Sequence, residues 1–236
     1  MMRQLIIAST STVHGSGYLD YILEELSNLF KNTNTILFVP YARPSGISHD
    51  DYTKIANNAF SKIGKTAVGL HTFENPKEAI ENAEGIFTGG GNTFVLVDQL
   101  YKNDLIVPLK AAINTGTPYL GTSAGSNICG LTIKTTNDMP IVYPPSFNAL
   151  GAVPFNINPH YLDPDKNSKH MGETRETRIK EFHHYNTQPV IGLREGSWLS
   201  VQNDDITIRG ALTARIFEHN KPPYEVNPGT NLNHLN

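Results

Sequence analysis

The chain has 236 residues, 39% of them apolar, enough to bury a sizeable core; length alone allows one large domain or two small ones, and a single domain spanning residues 1–236 is favoured. Its 19 basic and 22 acidic side chains give a net charge of -3 with no like-charged run, which argues against nucleic acid as a partner and for a small substrate. The lone cysteine, Cys129, excludes an internal disulfide and reads as a small buried hydrophobe in a reducing compartment.

Leu5 to Ala8 is the first apolar run, a strand by its length and too short for a signal peptide or a membrane span. No membrane association is expected, and the expected location is cytoplasmic. Tyr18 to Phe30 carries Leu19, Ile22, Leu23, Leu26 and Phe30 at helical spacing, and Ile36 to Val39 returns as a strand. The unit then repeats. Asp50 to Ile63 is helical, Ala67 to Leu70 extended, Pro76 to Ala83 helical and Gly85 to Phe87 extended. Phe94 to Tyr101 and Leu105 to Asn114 are helical, and Tyr119 to Thr122 is extended. Such alternation predicts an α/β fold in three layers, a mostly parallel sheet with helices on both faces. Lys134 to Pro159 is rich in Pro, Asn and Thr and reads as a long ordered loop over the sheet's edge. Glu173 to His183 is a helix. Val190 to Leu193, Trp198 to Val201, Ile206 to Ile208 and Ala214 to Phe217 read as a C-terminal β-meander closing the sheet, and the residues from Pro222 onward show no pattern and read as loose.

Gly121-Thr122-Ser123-Ala124-Gly125 has the G-x-S-x-G spacing of a nucleophile elbow, where a strand turns sharply into a helix and exposes a serine hydroxyl. Ser123 is therefore the candidate nucleophile. The Ala124 N–H at the helix start is a candidate oxyanion donor. A second glycine cluster, Gly89-Gly90-Gly91-Asn92, also follows a strand and opens a helix. It lacks the lysine and spacing of a phosphate cradle, so Gly90 and Gly91 are read as further oxyanion donors. Of nine histidines, His160 follows Pro159 in a rigid loop and is the candidate general base. Two acids compete to orient it. Glu195, directly after the Val190 to Leu193 run, is preferred because acids past a strand's carboxyl end point into the crevice where α/β sites form. Asp138, in a polar loop, would then shape the site or hold a substrate amine. His160, Asp163, Asp165 and His170 could be imagined as metal ligands, but they lack a helical ligand register and the elbow already accounts for His160. Neither metal nor cofactor is expected.

The segments Gly89-Gly90-Gly91-Asn92-Thr93-Phe94, Thr122-Ser123-Ala124-Gly125, Thr135-Thr136-Asn137-Asp138-Met139-Pro140, Ile157-Asn158-Pro159-His160, Gly172-Glu173-Thr174-Arg175 and Gly192-Leu193-Arg194-Glu195-Gly196 together resemble the peptidase E family of α-aspartyl dipeptidases, in family order over roughly residues 5 to 217. The resemblance implies a glutamine-amidotransferase-like fold and a metal-free serine dipeptidase for substrates beginning with aspartate. It implies an acid at either Asp138 or Glu195, and it places Arg175 as the cation for the substrate's aspartyl carboxylate. The chain would act as a monomer or homodimer on a small dipeptide. The rival readings are another acyl hydrolase on the same elbow, an esterase or a cyanophycin-type peptidase, and a non-catalytic ligand-binding module.

Overall fold

A computed structural model describes residues 3–165, 167, 169 and 171–235. In chain order the elements are β1 (Gln4–Ala8), a 3-10 turn (Asp20–Ile22), α1 (Leu23–Leu29), β2 (Thr35–Val39), α2 (His49–Ser61) and β3 (Thr66–Gly69). Then come α3 (Pro76–Glu81), β4 (Ile86–Thr88), α4 (Thr93–Lys102), α5 (Ile106–Thr115), β5 (Tyr119–Thr122), α6 (Ala124–Asn127) and β6 (Asn156–Pro159). The chain ends with α7 (Arg175–Phe182), β7 (Val190–Leu193), β8 (Ser197–Gln202), β9 (Asp205–Gly210), β10 (Ala214–Phe217) and β11 (Tyr224–Val226).

Helix boundaries follow local chemistry. Ser48, Asn75, Asn92 and Thr174 each accept a backbone N–H from the first turn of α2, α3, α4 and α7, supplying a partner that the helix itself cannot. Pro76 takes the first position of α3, where no N–H is needed. On α2, Tyr52, Ala56, Ala59 and Phe60 are buried at helical spacing while Asp50 and Asp51 favour its positive N-terminus.

The main sheet has seven strands in the order β3-β2-β4-β5-β1-β8-β9. Its first five are parallel, and the β8–β9 hairpin adds two antiparallel strands beside β1. Alternation along the strands sends side chains to two cores. Ile6, Ala8, Ile36, Phe38, Phe87 and Leu120 pack on one face with residues of α1 and α2. Leu5, Ile7, Leu37, Val39 and Ile86 pack on the other with α4, α5 and α6, and with the inner faces of β6, β7 and β10. These belong to a second sheet of four strands, β11-β10-β7-β6. Its far side carries α7 on a smaller cluster of Tyr161, Ile179, Val190 and Phe217.

The C-terminal strands form where periodicity predicts them, yet they do not run as one meander: β8 and β9 extend the main sheet, whereas β7 and β10 pair with each other in the second. Two further corrections concern segments read as loop. Asn156–Pro159 is a buried strand pairing in parallel with β7, hidden in the sequence because alternate asparagines, Asn156 and Asn158, spend their amides on Thr132 and Thr135 rather than on water. The C-terminal residues are docked, not loose. Tyr224–Val226 pairs with β10, Ile208 and Ile206 bond with Thr230 and Leu232, and Leu232 and Leu235 are buried. Among the described residues, no helix is long and apolar enough to cross a membrane.

Candidate active site

β5 ends at Thr122, and α6 begins at Ala124, so Ser123 alone makes the reversal. It does so at φ 54°, ψ −111°, a conformation that costs a non-glycine residue about 1–3 kcal/mol and persists only where the surroundings enforce it. Those surroundings are visible. The Ser123 N–H donates to Ala8 O at 3.2 Å, and the Ser126 hydroxyl bonds both Ala8 O and Gly121 O, tying the elbow to β1. A Cβ at Gly125 would collide with the backbone carbonyl of Thr88, which is why α6 can approach β4 so closely.

His160 sits just past β6, at φ 53°. Its Nε2 lies 2.9 Å from Ser123 Oγ, and its Nδ1 lies 2.6 Å from Glu195 Oε1. Glu195 follows β7, the parallel neighbour of β6, so the register of two short strands sets the distance between the two side chains. The other acid candidate is elsewhere. Asp138 makes no hydrogen bond to His160; its Oδ2 accepts the Thr93 N–H at 2.7 Å and the Thr136 hydroxyl at 3.1 Å, holding it at the N-terminus of α4.

The polar segment before Asp138 braces β6. Thr135 Oγ1 donates to Ile157 O, Asn137 Nδ2 donates to Pro159 O at 2.7 Å, and Asn158 Nδ2 donates to Asn137 Oδ1 and Thr135 O. A residue missed by sequence reasoning completes the frame. Ser9, fully buried one residue past β1, donates to Leu193 O at 2.7 Å and accepts the His160 N–H at 2.9 Å, so one hydroxyl ties His160 to the strand that leads into Glu195. Its only sequence signal is a serine at the carboxyl end of an apolar run.

Ser123, Ala124, Asp138, His160, Arg175 and Glu195 line one cleft of about 430 Å³. Gly90 borders Ser123 so closely that a Cβ there would fall 2.9 Å from the Ser123 Cβ. Gly91 takes φ +146° and packs on the Ala42 carbonyl, which no side chain would allow. Among the described residues, neither glycine N–H donates to a backbone carbonyl, and Ala124, first residue of α6, has no intrahelical acceptor. Arg175 opens α7, and its buried Nε has no hydrogen-bond partner. Burial, then the neighbouring Arg178, lowers its pKa, while Asp138 and Glu195 favour the cation. A partly desolvated guanidinium facing a cleft is a receptor for a planar anion.

Cys129 lies under the elbow, where burial pushes its thiol up to about 12. Of the residues weighed as metal ligands, His170 lies outside the described residues, and Asp163 is engaged by Arg194. Among the described residues, no group of three or more His, Cys, Asp or Glu is arranged to hold a metal ion.

Residues 5–209 match the family model described as Peptidase family S51. The chain is 45% identical to a probable alpha-aspartyl dipeptidase of Drosophila melanogaster, over 99% of this chain and 97% of that protein. It is also 45% identical to a Peptidase E of Streptomyces coelicolor, over 98% of this chain and 94% of the relative. In overall shape it is similar to the crystal structure of a peptidase from an acI-B1 Actinobacterium, with a TM-score of 0.74 at 16% identity, covering 98% of this chain and 97% of the other.

Proposed function

This chain belongs to peptidase family S51, and from that membership we infer a serine dipeptidase that hydrolyses dipeptides with an N-terminal aspartate. The observation that carries this reading to particular residues is the unbroken hydrogen-bond line from Ser123 Oγ through His160 to Glu195, in one cleft with the unpartnered Nε of Arg175.

In the proposed reaction, Ser123 Oγ attacks the scissile carbonyl carbon as His160 Nε2 takes its proton. The imidazolium so formed is stabilised by the Glu195 carboxylate on Nδ1. The carbonyl oxygen becomes an oxyanion received by the N–H of Ala124 and of Gly90 or Gly91, groups with little else to bond. Collapse breaks the C–N bond, and Nε2 returns the proton to the leaving amine. Water, deprotonated by the same nitrogen, then attacks the aspartyl ester, releasing aspartate and restoring Ser123. Arg175 would receive the substrate's side-chain carboxylate. Asp138 would hold the substrate ammonium, because its hydrogen bonds from protein converge on Oδ2 and leave Oδ1 to accept another donor. The carboxylate and ammonium requirements together would confine the site to an N-terminal aspartyl residue. Cys129, buried and free, suits a reducing compartment, and we place the enzyme in the cytoplasm.

The test is Ser123→Ala, assayed for aspartate release from Asp-Leu and for Asp-p-nitroanilide turnover beside a p-nitrophenyl ester. The variant should keep the wild-type melting temperature and lose dipeptide hydrolysis altogether. Retained turnover would overturn the mechanism, and a wild type that cleaves the ester but neither aspartyl substrate would be a general esterase.

A further inference from the structure

Beside the cleft, five charged side chains run in a line that the reaction does not use. Arg194, immediately before Glu195, forks onto Asp163 with Nε at 2.8 Å from one carboxylate oxygen and Nη2 at 2.7 Å from the other. Its Nη1 donates to Glu225 on β11 and to the carbonyl and hydroxyl of Thr213. Glu225 is shared: Arg215 on β10 reaches it with Nη1 at 3.1 Å, and also meets Glu176 with Nε at 3.0 Å and Nη2 at 2.8 Å. Glu176 is the residue after Arg175. The line therefore starts three residues past His160, passes beside Glu195 and ends beside Arg175. Thr213, Arg215 and Glu225 lie beyond the segment that matches the family model.

What α7 lacks makes this matter. The helix buries Ile179 and packs the half-buried Phe182 on the same cluster, both in its C-terminal half, whereas its first turn, which carries Arg175, holds no apolar side chain. Anchors confined to the C-terminal half leave the first turn loosely opposed, and movement of that turn would swing Arg175 out of the cleft. Arg215 supplies the second constraint. It rises from the middle of a hydrogen-bonded strand, between β7 and β11, and is held on the other side by Glu225. Burial by itself would raise Glu225, but hydrogen bonds from Arg194, Thr213 and Arg215 outweigh it and hold the carboxyl at about 2, so the hub stays charged at any working pH. The contacts are forked and half-buried, geometry that fixes orientation better than a single exposed ion pair does.

We propose that Arg215 and its shared carboxylate Glu225 are positioning residues for specificity: they lock α7 against the second sheet so that Arg175 faces the cleft, while the same hub, through Arg194, steadies the Glu195 loop. This rests on the aspartyl-dipeptidase reading for its kinetic consequence but not for its structural one. In Arg215→Met, KM for Asp-Leu should rise about tenfold, below the hundredfold that ~1 Å of misplacement can cost. Its kcat should stay within about twofold. The rate at which a fluorophosphonate probe labels Ser123 should not change, because nucleophile, base and acid are untouched. Arg215→Lys, which keeps the charge but not the fork, should recover part of the loss. Equal falls in labelling and in aspartate release, with no recovery by lysine, would reveal a merely structural role and overturn the proposal. So would an unchanged KM. Amide hydrogen exchange on the same proteins needs no substrate. Faster exchange confined to residues 175–182 in Arg215→Met supports the lock, and unchanged exchange there overturns it, whatever the wild type does with Asp-Leu. If Arg215→Met does not fold, Glu176→Ala removes the same contact from the helix side and carries the same expectations.

Discussion

Replacing Glu195 by glutamine keeps volume and a hydrogen-bond acceptor for His160 Nδ1 but removes the charge opposite the imidazolium. At the observed 2.6 Å separation, that attraction is about 1.6 kcal/mol in water and about 6 kcal/mol at an effective dielectric of 20. The Glu195 side chain is 49% exposed, which moves the value toward the lower figure. An estimate of about 2–3 kcal/mol also agrees with hydrogen bonds to charged groups generally. At 1.36 kcal/mol per decade, kcat for Asp-Leu should fall about 30- to 160-fold. That is less than a deeply buried acid would give, because water can partly replace an exposed carboxylate. KM should change little, since Glu195 is not assigned to the substrate. Steady-state release of aspartate provides the assay, with fluorophosphonate labelling of Ser123 falling in parallel. A loss under about threefold would refute the reasoning, as would an equal fall in kcat at unchanged KM in Asp138→Asn, which would return the orienting role to Asp138.

Asp138→Asn can still accept the Thr93 N–H, so it should fold normally and chiefly raise KM through the substrate ammonium, as read by initial rates across Asp-Leu concentrations. Arg175→Ala should lower kcat/KM for Asp-Leu by about 10- to 150-fold, the value of one charge-assisted contact, and should largely abolish the preference for aspartyl over neutral dipeptides. Ser9→Ala leaves the part-buried His160 N–H without its partner and removes a donor from the buried Leu193 O. A destabilisation of about 1–3 kcal/mol in urea unfolding is expected, with a fall in kcat as the base loses its anchor. Finally, Glu225 is held at about 2 against an ordinary 4.5. A depressed carboxyl contributes stability in full above its unfolded value, and loses it as pH falls from there through about 2. Thermal unfolding between pH 6 and pH 2, spanning those two values, should show a shallower acid-side decline in Glu225→Gln. An identical slope would mean the hub contributes nothing to folding.

Much of the scaffold could be read from local pattern because its causes are local. Strand-helix alternation through β5 follows from side-chain period, and caps such as Ser48 and Asn92 act on residues three positions away. The elbow is similarly local, since Gly121, Ser123 and Gly125 answer to one turn. β6 escaped because its alternating residues are asparagines, which ordinarily mark loops but here bond Thr132 and Thr135 out of reach of water. The docked tail escaped because three residues of β11 have no period to detect.

The order and chemistry of Ser123, His160 and Glu195 are properties of the chain, as is the presence of two rival acids. Which acid touches His160 is not. His160 and Glu195 meet because β6 and β7 lie parallel and in register, Pro159 opposite Leu193, and because Ser9, some 150 residues away, bonds both ends. Register between strands distant in sequence is settled by the packing of two sheets against one core, and no residue's own pattern records it. The same holds for Arg175. Its charge is written in the sequence, but the hold proposed for its helix is Arg215 on Glu176 with Glu225 behind it, a contact across 39 residues that only the pairing of the second sheet brings together.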